Sequence, residues 1–99
     1  MINLKSLSPE YRHTAIDAVS DLAEGQWAAL AAGVTEARDQ AEYFDLVHDK
    51  IVKNDDLDDS DLGVVVDALN AAEENCVDLG LDDAATEYAD TRSIVESLS

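Results

Sequence analysis

Asn54-Asp55-Asp56-Leu57-Asp58-Asp59-Ser60-Asp61 divides this chain. Five of these eight side chains are aspartate and none is basic, so the stretch reads as an acidic joint between helical segments. It also marks a shift in charge. Residues 1–53 carry nine acids and five bases, net −4, whereas residues 54–99 carry fourteen acids and one base, net −13.

Downstream of the joint, Ser60 is a good helix cap. Leu62, Val65, Val66, Leu69, Ala72, Cys76 and Leu79 then recur at helical spacing on one face. Asp58, Asp59 and Asp61 gather at the positive end of that helix dipole. Gly80 ends the helix, and Asp82-Asp83 open a last one with Ala85, Tyr88, Ala89, Val95 and Leu98 inward.

Upstream, Trp27, Leu30, Ala31, Val34, Ala37, Ala41, Phe44, Val47 and Ile51 keep helical spacing. They predict one long helix from about 26 to 53, with a split pair broken near 38–40 as the alternative. Lys50 and Lys53 suit its negative end. Ser8-Pro9-Glu10 begins a first helix over 9–24, with Ala15, Ile16, Val19, Leu22 and Ala23 inward and Gly25 as its stop. Residues 1–7 form a lead-in that tucks Leu4 and Leu7 onto it. Tyr11 and Tyr43 are the aromatics expected at the surface.

Four amphipathic segments with short joints, and no useful run of period two, predict an all-α fold. The expected architecture is a small antiparallel four-helix bundle or compact helical domain without a sheet. Ninety-nine residues predict a single domain over 1–99. The near-continuous apolar stripe of residues 26–53 also offers a surface to a second copy of the chain.

A net charge of −17 excludes a nucleic-acid binder with a basic footprint and a protein that docks on anionic lipid by charge. It points to cationic partners or high salt, and self-repulsion at that charge opposes folding. Cys76 is the only cysteine, which suits a reducing compartment. The first residues have no signal-peptide pattern and no stretch approaches a membrane span, so the expected location is the cytoplasm.

Asp56, Asp58, Ser60 and Asp67 fall at positions 1, 3, 5 and 12 of a calcium-loop spacing. Position 6, where such a loop needs glycine, is Asp61, and Gly63 stands two places late. The reading is therefore a solvated acidic joint with a helix cap, with no metal and no cofactor. His13 and His48 belong to no local catalytic motif, so no enzyme is expected.

Asp59-Ser60-Asp61-Leu62 resembles the motif at which acyl carrier proteins, small acidic four-helix domains, carry their modified serine. The resemblance covers about forty residues and implies Ser60 as attachment site. Asp61 departs from it by separating the serine from the leucine.

The reading with most support in the sequence rests on the acids themselves. Asp55, Asp56, Asp58, Asp59 and Asp61 lead into Asp67, Glu73, Glu74 and Asp78 on the next helix. Carboxylates along one face can occupy a groove built for phosphate, so the expected role is an inhibitor that mimics DNA and blocks a basic, nucleic-acid-binding protein surface. In size and charge the chain resembles phage-encoded inhibitors of host defence, including some anti-CRISPR proteins, which implies the host cytoplasm. The alternative is a housekeeping or structural protein adapted to a salty cytoplasm. Halophilic proteins are rich in Asp, Ala and Val and poor in Lys, as this chain is.

Overall fold

The computed structural model describes residues 2–98 and contains a 3-10 turn, Leu4–Ser6, followed by four helices. These are α1 (Pro9–Ala31), α2 (Ala37–Val52), α3 (Asp59–Asp78) and α4 (Asp82–Ser97). The chain is all-α and packs as a four-helix bundle measuring 38 × 34 × 18 Å. α1 and α2 form one hairpin, α3 and α4 a second, and α1 lies against α3. An isolated antiparallel bridge between Ile2 and Leu57 is the only β pairing among the described residues. Met1 of the lead-in lies outside them.

Four helices are present, but the first two divide elsewhere. The long helix expected over 26–53 does not form: α1 runs through Gly25, the expected stop at 24–25, to Ala31, and the chain turns at residues 32–36, before the 38–40 break of the split-pair alternative. A mid-helix glycine costs only about 1 kcal/mol relative to alanine. The surrounding Ala23, Ala28, Ala29 and Ala31 carry the helix past it. What stops the helix is Gly33, at φ +104°. There the Val34 N–H donates to the Ala29 carbonyl and the Gly33 N–H to the Leu30 carbonyl, the paired closure of a Schellman motif.

The same device ends the next two helices. At Asn54, φ +59°, the Asp55 N–H donates to Lys50 and the Asn54 N–H to Ile51. At Gly80, φ +75°, the Leu81 N–H donates to Cys76 and the Gly80 N–H to Val77. Glycine and asparagine tolerate this left-handed backbone, so each reversal falls on a residue that can adopt it.

Folding back at Gly33 gives the two apolar stripes a mutual partner. Ala15, Ala18, Val19 and Ala23 of α1 share the core with Phe44, Val47 and Ile51 of α2. Leu62, Val65, Ala68 and Leu69 of α3 and Val95 of α4 complete it, with Leu4 from the lead-in. Much of this core is alanine and valine, so the helices approach closely. Some positions expected inside lie outside. Leu79 is 65% exposed because it is the C-cap, beyond the last turn of its stripe. Ala31 and Val34 lie at the α1 reversal and are exposed, and Trp27 keeps its indole N–H on the Asp45 carboxylate at the surface. Tyr11 and Tyr43, expected outside, are half-buried.

Arg12 joins the two ends of the first hairpin. One guanidinium nitrogen donates to the carbonyls of Val52 and of Ile51, which also accepts the Asn54 N–H, at the end of α2.

Candidate protein-binding surface

The acidic joint is a held structure. Leu57, flanked by four aspartates, is fully buried and plugs the core. Its backbone exchanges hydrogen bonds with Ile2, Leu57 N–H to Ile2 O at 2.6 Å and Ile2 N–H to Leu57 O at 2.9 Å. The Asn3 amide donates to the Asn54 carbonyl at 2.6 Å and to Asp56 Oδ1 at 3.2 Å. The lead-in thus ties the joint down, and Asp55, Asp56, Asp58 and Asp59 project to solvent from a fixed backbone.

Asp58, and not Ser60, caps α3. Its Oδ1 accepts from the Asp61 N–H at 2.8 Å, and Asp61 Oδ2 accepts in return from the Asp58 N–H at 3.2 Å. This reciprocal box needs an acceptor side chain three residues after the cap. From Asp58 that residue is Asp61; from Ser60 it would be Gly63, which has none. Ser60 therefore sits exposed in the first turn.

Asp61 leaves the proposed partner-facing set on the same ground. It is 2% exposed. Besides the cap, its Oδ2 accepts from Lys50 Nζ at 2.8 Å and its Oδ1 from the Tyr43 hydroxyl at 3.1 Å. Burial is the strongest single influence and opposes its charge. The Lys50 ammonium, the Asp58 N–H and the Tyr43 hydroxyl together outweigh it and hold the carboxyl below its ordinary range. Burial, then the Asp61 hydrogen bond, pushes Tyr43 up, and the same carboxylate raises Lys50. Asp61 is an internal anchor joining α2 to α3.

Glu73 is also engaged. Its Oε1 accepts from Arg92 Nη1 at 2.8 Å, and that nitrogen donates to Asn70 Oδ1 at 2.8 Å, bridging α3 and α4. Arg92 is the sole base of residues 54–99.

Seven of the nine expected residues remain exposed: Asp55, Asp56, Asp58, Asp59, Asp67, Glu74 and Asp78. Among the described residues none of the seven is in an ion pair. Asp59, Asp67, Glu74 and Asp78 fall within about 100° of one another around the α3 axis and span about 28 Å of it. The exposed acids of the joint directly precede the N-terminus of α3.

The calcium-loop spacing does not survive folding. α3 begins at Asp59, so Ser60 and Asp67 ride two turns of a rigid helix and cannot close around an ion with Asp56. Among the described residues no three His, Cys, Asp or Glu side chains converge to hold a metal. His13 is exposed beside Asp17 at 3.4 Å, and Cys76 is buried. No described helix is long and apolar enough to cross a membrane. No protein-family model, curated protein or solved structure matches the chain.

Proposed function

We propose that this chain is a binding protein whose joint and α3 face occupy a basic, nucleic-acid-binding surface of another protein. The observation that carries this reading is the set of seven exposed carboxylates between Asp55 and Asp78 that enter no ion pair among the described residues, set on a pinned joint and one helix face. Its charge asymmetry follows the architecture: the α1–α2 half carries net −4 and the joint with the α3–α4 hairpin net −13. Duplex DNA carries one charge per about 1.7 Å of axis. The α3 face by itself offers one per about 7 Å. The net −13 of joint, α3 and α4 over the 38 Å long dimension amounts to one per about 2.9 Å, so approaching the charge density of a phosphate groove takes all three together.

The test is competitive displacement of duplex DNA from a panel of basic DNA-binding domains, followed by fluorescence anisotropy across a salt series. The wild-type chain displaces DNA, with a potency that falls steeply as salt rises. The triple variant Asp67→Lys, Glu74→Lys, Asp78→Lys loses that activity while circular dichroism shows it folded. Equal displacement by both chains, or by polyglutamate of equal charge, refutes the assignment of the α3 face.

A salt-adapted protein is the second reading, favoured by exposed acids on α1 and α2 as well, among them Asp17, Asp21, Asp39 and Asp45. It requires molar salt for folding, whereas a dedicated binder is folded at low ionic strength.

A further inference from the structure

Resting on the reading of the chain as a binder of a basic partner, we propose that the hollow between α1, α3 and α4 anchors one arginine side chain of that partner. The hollow has a volume of about 230 Å³. Its walls are small and apolar, with Leu22 from α1 and Ala68, Ala71 and Ala72 from α3. Each helix also contributes a polar residue to its lining: Asp21, Asn75 and Tyr88. Cys76 also lines it, more than nine-tenths buried, with its thiol in no hydrogen bond.

The volume is compatible with a single side chain. Small-molecule sites take roughly 300–1,000 Å³. This hollow is below that range and suits one side chain. Apolar walls bearing a carboxylate and an aromatic ring match a long aliphatic stem with a cationic head. The planar guanidinium fork suits a carboxylate, an amide and an aromatic face better than a point-like ammonium does. The neighbourhood is strongly anionic. Tyr88 also walls a second hollow of about 180 Å³, lined by Glu10, Asp17 and Glu87. Burial first, then Asp21 and the other nearby groups, keeps its hydroxyl protonated to higher pH than usual. A cation is drawn to such a place by the net charge of −17 as well as by contact.

Cys76, the only thiol, supplies a built-in reporter. The probe is n-butylguanidinium, titrated against the intact chain while iodoacetamide alkylation of Cys76 is timed and amide chemical shifts are recorded. At ten times its dissociation constant, the probe slows alkylation about tenfold by mass action. Saturable shifts centre on Ala71, Asn75 and Tyr88. Asp21→Asn, which alters an exposed side chain, weakens binding about two- to fivefold. Ala71→Leu fills the mouth and abolishes both effects. Equal protection by n-butanol or by sodium chloride at the same ionic strength overturns the proposal, as does unchanged binding by both variants. Equal protection by n-butylammonium overturns the choice of arginine.

This titration uses no macromolecule, so its failure is distinct from failure of the DNA-displacement assay. In that assay Ala71→Leu weakens competition about tenfold, as loss of an anchoring contact does. Displacement as strong as wild type removes the anchoring role and leaves the binding-protein reading standing.

Discussion

Asp61 is the residue on which the joint and the bundle meet. A carboxylate at 2% exposure is tolerated because an ammonium, a hydroxyl and a backbone N–H converge on it. Asp61→Asn keeps the shape and removes the charge. It should lower stability by about 1–3 kcal/mol, measured by urea denaturation. The pH dependence follows from the lowered carboxyl value. The unfolded chain binds the Asp61 proton more readily than the folded one. Its contribution is therefore complete above the ordinary carboxylate range and is lost as pH falls through the folded value. Urea midpoints taken from neutral pH downward should show an acid-side loss in the wild type that is smaller in Asp61→Asn. Leu57 illustrates the opposite case, an apolar residue whose acidic neighbours disguise a core role.

At the scale of the helix, several residues oppose the element that carries them. α3 has no basic residue in its last turn, and it ends on Asp78, an acid at the negative end of its dipole. Asp78→Lys should stabilise the protein by about 0.3–1 kcal/mol even as it removes a proposed contact, read as a rise in melting temperature. Gly25 and Gly63 lie mid-helix with open space where a Cβ would stand. Alanine at either should stabilise by about 0.5–1 kcal/mol. Gly33 and Gly80 face equally open space, yet their positive φ makes alanine there destabilising by about 1–2 kcal/mol. Thermal melts of the four alanine variants should therefore divide into two rises and two falls.

For the molecule as a whole, the balance is between a thin core and a net charge of −17. The described core is dominated by alanine, valine and leucine, and twenty-one of the twenty-three acids are exposed. Screening shortens the reach of their repulsion from about 30 Å at 0.01 M to about 10 Å at 0.1 M salt. The melting temperature should rise over that interval. A chain already folded at the low end fits the binding-protein reading; one that folds only near molar salt fits salt adaptation.

Helix content, the acidic joint and the charge imbalance were legible from the residues alone, because each depends on local spacing or on composition. The apolar stripes of α3 and α4 follow from three- and four-residue periodicity, and Gly80 stops α3 through its own backbone freedom. What neighbours decide was not legible. Gly25 and Gly33 look alike as helix breakers, and only the packing of α1 against α2 selects Gly33 as the reversal. Asp58 and Ser60 are both good caps; the three-residue spacing to Asp61 favours Asp58, but that Asp61 is also buried on Lys50 and Tyr43 depends on another helix. The hollow at Cys76 has no signature in sequence at all, since its walls come from three helices that meet only after the chain has folded back on itself.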